Sequence, residues 1–267
     1  MPIFQLSLLV QRLPVLYWQY FTGKYGSNSW ALITDAAGDL GYGFAEGLTT
    51  RGLNVILVGP NSPELQAKEK DLHKANSEVQ TKITEFDFAK DTSISDYQTK
   101  IYDQISDLEV SILVNNAKLA ISGIGELSND FTEGVPGDRQ VIAALNTNIL
   151  AQTNFLHHFI PIFNKRATRS AIIDASGFLV GSVYQPVHGA TKTFNYTLTV
   201  AESETAGNEN IDFVSLVPGP EYATMMCRLM GSLSGKDSTE SRAWYQTMMG
   251  HVRDCVNGTL RCLGNRN

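Results

Sequence analysis

The chain has 267 residues, 43% of them hydrophobic and 18% charged, which excludes general disorder and suits one large domain with a sizeable core. Its formal net charge of -6 excludes a broad nucleic-acid-binding surface. Cys227, Cys255 and Cys262 lie near the C-terminus without CxxC or Cys/His spacing, so they read as reduced thiols, and no metal site is expected.

Residues 1–34 contain no Asp or Glu. The stretch from Ile3 to Phe21 is rich in Leu, Val, Tyr and Trp, but Gln5, Gln11, Arg12, Pro14 and Gln19 interrupt it. A spanning helix needs roughly 20 mostly apolar residues. The segment therefore reads as an amphipathic arm over residues 1–28, lying on a membrane surface or a partner, with one domain over 29–267. Freedom from acid also suits a mitochondrial address.

From there strands and helices alternate. Trp30–Thr34 is the first strand, followed by a helix from about Gly41 to Arg51. Asn54–Val58 is the second strand, and Ser62-Pro63 opens the next helix with a cap and a first-turn proline. Thr81–Phe86 and Val110–Val114 are further strands, with a helix over Ile94–Ile105 between them. A long helix spans about Arg139–Phe163. Ala171–Ile173 is a fifth strand, Val187–Glu204 a helix, and Ile211–Val217 a sixth strand ending at Pro218-Gly219. Lys118–Asp138 and Ser232–Ser241 read as the mobile parts. Repeated βα units with apolar strands predict an α/β fold, a single doubly wound parallel sheet covered by helices on both faces.

Chemistry concentrates at two places. The first βα turn reads Thr34-Asp35-Ala36-Ala37-Gly38-Asp39-Leu40-Gly41, and such a turn binds pyrophosphate through close backbone approach and free helix N–H groups. Further on, His188 and Lys192 are four residues apart in Val187-His188-Gly189-Ala190-Thr191-Lys192 and so share one helix face. In these motifs the chain resembles the short-chain dehydrogenase/reductase (SDR) family, with its TGxxxGxG turn on a Rossmann sheet. The branch it most resembles contains the 17β-hydroxysteroid dehydrogenases and very-long-chain 3-oxoacyl-CoA reductases.

The resemblance assigns Thr34, Asp35, Asp39, Leu40 and Gly41 to the phosphate turn. Asp87 and Phe88 match the acidic position that holds adenine, and Asn115-Asn116-Ala117 matches the NNAG motif. Lys192, Pro218 and Gly219 complete the cofactor positions. Catalysis by resemblance uses Asn148, Ser176, the tyrosine position now held by His188, and Lys192. Several positions depart from the pattern. Asp35 and Asp39 stand where the first two glycines belong, Lys118 replaces the NNAG glycine, and no arginine follows the second strand to select NADP. Each carboxylate about 4 Å from a phosphate charge costs roughly 4 kcal/mol at an effective dielectric near 20. A cation at Lys192 disfavours the imidazolium of His188, and Tyr184 lacks the lysine spacing.

These departures lead to the expectation of a catalytically degenerate SDR-fold protein, an accessory subunit of a larger assembly, mitochondrial and membrane-associated. No cofactor is expected, and NADP or NAD is expected only if the ancestral site survives. Two alternatives stand beside it: an NAD(P)H-dependent reductase of 3-oxoacyl or steroid-like substrates, and a dinucleotide-binding module. The alternative locations are the endoplasmic reticulum membrane surface and the cytoplasm.

Overall fold

The fold is taken from a computed structural model, which describes residues 20–119, 138–176, 186–205, 209–216 and 239–265. Six strands form one parallel sheet: β1 (Trp30–Thr34), β2 (Asn54–Gly59), β3 (Thr81–Glu85), β4 (Val110–Asn115), β5 (Ser170–Ala175) and β6 (Ile211–Leu216), in the order β3-β2-β1-β4-β5-β6. Strands β1, β2, β4 and β5 are buried along their whole length, as near-continuous Val, Ile and Leu runs require when helices cover both faces. The order reverses between β1 and β4, and this crevice at the strands' carboxyl ends is where such sheets take ligands.

Alternation along each strand feeds two cores. Ala31 and Ile33 of β1, Ile112 and Val114 of β4, and Ala171 and Ile173 of β5 point to one face. That face is covered by α1 (residues 20–25), α2 (Asp39–Thr49) and α8 (Thr239–Asn265). Trp30, Leu32, Leu113 and Ile172 point to the other, onto Phe155, Phe159 and Phe163 of α6 (Ala151–Phe163). Each fully buried Leu, Ile or Phe contributes about 1.5–3 kcal/mol.

The remaining helices are α3 (Pro63–Ala75), α4 (Ile94–Tyr97), α5 (Asp138–Leu145) and α7 (Pro186–Glu204). Ser62 caps α3 by accepting from the Leu65 amide at 3.1 Å, with Pro63 in its first turn. Two helices differ from their expected regular form. The Ile94–Ile105 stretch changes from α to π at Gln98–Tyr102 and then to a 3-10 turn. The long helix carries a π segment, Asn146–Leu150, between α5 and α6.

Of the arm expected over 1–28, residues 1–19 lie outside the described residues, and α1 packs into the domain, with Phe21 and Tyr25 fully buried. Of the segment expected to be mobile, 232–241, residues 232–238 lie outside the described residues, and Thr239 begins α8. Its Val252, Val256 and Leu260 lie against α2, where Cβ atoms at Gly43 and Gly47 would come within 2.9–3.1 Å of them. At the strands' amino ends, Asp212 binds Arg169 (2.6 Å), Lys24 (3.1 Å) and the Tyr25 hydroxyl (2.8 Å). Burial raises its pKa, but these three partners outweigh burial and hold the carboxyl below the usual range. Lys24 also donates to the Leu263 carbonyl at the end of α8, and the Tyr25 hydroxyl lies 3.1 Å from that oxygen. Among the described residues no helix is long and apolar enough to cross a membrane.

Candidate functional site

The carboxyl ends of β1 and β4 are laced together by Thr34 and Asn116. Thr34 Oγ1 accepts from the amides of Asn116 and Ala117, both at 2.8 Å, and donates to the Val114 carbonyl. The Asn116 side chain donates to the carbonyls of Thr34 (3.2 Å) and Asp35 (3.3 Å). Helix α2 starts directly beneath this lacing. A Cβ on Gly41 would lie 2.3 Å from the Asp35 carbonyl oxygen and 2.9 Å from Asn116 Nδ2, so only glycine allows the helix to seat here. Leu40 points away into the core.

Asp35 holds a left-handed backbone, φ 52°, a conformation that glycine adopts freely and aspartate tolerates at a cost. Its carbonyl accepts from the Gly38 amide at 3.1 Å, and its carboxylate folds back over Gly38, Oδ2 lying 2.9 Å from where a Cβ there would stand. Burial pushes its pKa up to about 6 against the pull of Lys118, Lys68 and Lys192, and Asp39 adds to the rise. Asp39 occupies the first turn of α2. Lys68 reaches across from α3 to donate to the Ala37 carbonyl and lies over the Tyr42 ring, 5.1 Å from its centre.

The other wall is built on α7 and the π segment. A π-bulge displaces one residue from the helical register and recurs at functional sites. Here it carries Asn148, fully buried, whose side chain accepts from the Leu119 amide (2.7 Å) and donates to the Leu119 carbonyl and to Thr191 Oγ1. The same Leu119 backbone hydrogen-bonds His188. Burial first, then Lys192 and Lys118, push the His188 pKa down to about 4, the direction its lysine neighbour predicts. Its Nδ1 is buried with no hydrogen-bond partner among the described residues. Lys192 is 2% exposed and donates to the Ala175 carbonyl at 3.1 Å. Burial and Lys118 push its pKa down to about 8, against Asp174 and Asp35.

The remaining expected positions do less. Ser176 is fully buried, 2.8 Å from Asp174 Oδ2 and 2.6 Å from Ser215 Oγ. Asp87 spends its carboxylate on Lys90 (2.7 Å) and the Ala89 amide. Phe88 is part of an aromatic core with Phe86 and Phe155. Asn115 and Ala117 line a narrow crevice with Thr34, Thr147 and Gln152. Pro218, Gly219 and Tyr184 lie outside the described residues. Among the described residues no group of His, Cys, Asp or Glu is placed to hold a metal.

The site thus brings Asp35, Lys118, His188 and Lys192 into one electrostatic neighbourhood. It adds Lys68 and Asp174, which the sequence reading does not single out. Asp174 carries a visible signal, an acid inside the apolar run Ala171–Ala175. Lys68 carries none, because a lysine four residues after Glu64 reads as a solvated helix face. The residues present do not fit a dinucleotide diphosphate. Gly41 preserves the close approach, but the Asp35 carboxylate stands over the turn where the anion docks.

The pattern of the short chain dehydrogenase family matches residues 29–231. A very-long-chain 3-oxoacyl-CoA reductase of Coccidioides immitis is 37% identical over 95 residues, 36% of this chain and 27% of that protein. The chain therefore aligns with about a quarter of that reductase. In structure it is similar to a 7β-hydroxysteroid dehydrogenase, with a TM-score of 0.68 and 23% identity over 92% of this chain and 87% of that one. It is also similar to a short-chain dehydrogenase from Sphingobium yanoikuyae in complex with NADPH, with a TM-score of 0.61 and 24% identity over 72% and 71% of the two chains. Both structural likenesses concern the fold.

Proposed function

We propose, for a chain that belongs to the short-chain dehydrogenase/reductase family, that its site no longer carries out hydride transfer and that it acts as an accessory subunit of a larger assembly. The observation that carries this reading is the state of His188. A general acid works best with a pKa near the operating pH, and an imidazole held near 4 and bonded to the Leu119 backbone has no proton to give at neutral pH beyond the one in that bond. The Asp35 carboxylate over the phosphate turn and the engagement of Ser176 by Asp174 point the same way. Attachment through residues 1–28 to a membrane or neighbour, and a mitochondrial location, belong to the same proposal and rest on the acid-free N-terminus.

The second reading is an NAD(P)H-dependent reductase of 3-oxoacyl or steroid-like ketones, and the comparisons favour it. The relatives reported above are named as reductases or dehydrogenases, one in complex with NADPH. Asn148 and Lys192 are also both present in the wall. NADPH oxidation at pH 7.5 with 3-oxoacyl-CoA and 3-ketosteroid substrates separates the two. The first reading expects no turnover above the enzyme-free rate; turnover that Lys192→Ala abolishes overturns it in favour of the second. Native purification tests the assembly: co-purifying subunits are expected, and a monodisperse free monomer or homodimer refutes it.

A further inference from the structure

The phosphate turn contains a charge of its own. Asp35 sits at a left-handed position that favours glycine, and its carboxylate turns inward against Gly38, the residue that caps α2. Around it stand cations from three other elements: Lys68 of α3, Lys118 after β4 and Lys192 of α7. The acidic neighbour is Asp39 of α2. Lys68 is anchored to the Ala37 carbonyl within the turn itself. A helix N-terminus flanked by lysines is ordinarily completed by a phosphate.

We infer that the Asp35 carboxylate is an internal anion, a built-in stand-in for a ligand diphosphate, and that it keeps pyrophosphate-bearing ligands out of the turn. The proposal rests on the reading that this turn is out of use, and it names the group responsible. Exclusion has two parts, charge and volume, and two substitutions separate them. Asp35→Asn removes the charge, keeps the volume and tolerates the left-handed backbone. Asp35→Gly removes both and suits that backbone better than aspartate, so it retains the fold, which a thermal melt checks.

The assay is calorimetric titration of the full chain with inorganic pyrophosphate and, separately, with NADPH. Asp35→Gly is expected to bind both at least ten-fold more tightly than wild type, with Asp35→Asn in between. For pyrophosphate, the gap between wild type and Asp35→Asn should narrow as the pH falls from 7.5 to 5.5, because protonation of Asp35 does what the amide does. Comparing the two proteins cancels the titration of pyrophosphate itself. Equal binding by wild type and Asp35→Gly overturns the proposal, as does absence of binding to a folded Asp35→Gly. The non-catalytic reading fails by a different result: NADPH turnover by wild type refutes that reading whatever the binding ratio. An inert wild type with a ratio of one sinks only the internal anion.

Discussion

Replacing Gly41 with alanine tests the geometry on which the whole turn depends. The added methyl would stand 2.3 Å from the Asp35 carbonyl oxygen, 2.9 Å from Asn116 Nδ2 and 3.0 Å from the Ala36 Cα. Two of these neighbours are backbone and cannot swing aside, so α2 must retreat by roughly 1 Å to reach ordinary contact distance. Overpacking of this kind costs about 1–3 kcal/mol. The retreat also strains the bonds from Asn116 to the carbonyls of Thr34 and Asp35, each contributing about 1 kcal/mol. Against this, alanine gains about 1 kcal/mol of helix propensity over glycine. The balance is a loss of about 3 kcal/mol, or roughly 6–12 °C in Tm for a domain of this size. Thermal and urea unfolding of the two proteins measure it. A Gly41→Ala protein within about 0.5 kcal/mol of wild type, the range of ordinary surface substitutions, would refute the close approach of helix and turn.

The same substitution in open space should have the opposite sign. A Cβ at Gly258, inside α8, meets nothing within 4 Å, so Gly258→Ala should stabilise the protein by about 0.5–1 kcal/mol in the same melts, and a loss would contradict the described packing of α8. Asp35 makes stability depend on pH. Because its folded pKa is raised from 3.8 to about 6, its stabilising contribution is complete below about pH 3.8 and disappears as pH rises through about 6. Asp35→Asn should match wild type near pH 4 and exceed it at pH 7.5 by up to about 3 kcal/mol; parallel stability curves across that range would show that the carboxylate is not desolvated.

The strands were legible because a parallel sheet buried on both faces needs continuous apolar runs, and Trp30–Thr34 and Val110–Val114 are such runs, short enough for strands. The shared face of His188 and Lys192 follows from helical spacing alone. What escaped the sequence depends on distance across the fold. The reach of Lys68 to the Ala37 carbonyl spans 31 residues, whereas Ser176 and Asp174 stand two apart, a contact that strand alternation by itself allows. The π segment around Asn148 is invisible because apolar periodicity over Arg139–Phe163 tolerates one extra residue. Helix α8 is absent from the sequence reading, although Val252, Val256, Leu260 and Leu263 repeat at helical spacing. In the turn, the glycine-to-aspartate exchanges were plain, whereas the inward fold of the Asp35 carboxylate required coordinates.

The fastening of α1 to α8 has a consequence for how the molecule comes off the ribosome. Phe21 and Tyr25 share one core with Val252, Val256, Leu260 and Leu263, and the Leu263 carbonyl accepts from Lys24 with the Tyr25 hydroxyl beside it. Among the described residues the first helix is thus completed by the last. Until residues 239–265 have been made, the groove beside Gly43 and Gly47 stays open and the part of the core that α8 covers remains exposed. Such long-range closure is slow and exposes apolar surface meanwhile. Truncating α8 should therefore leave a chaperone client, not a smaller version of the same domain.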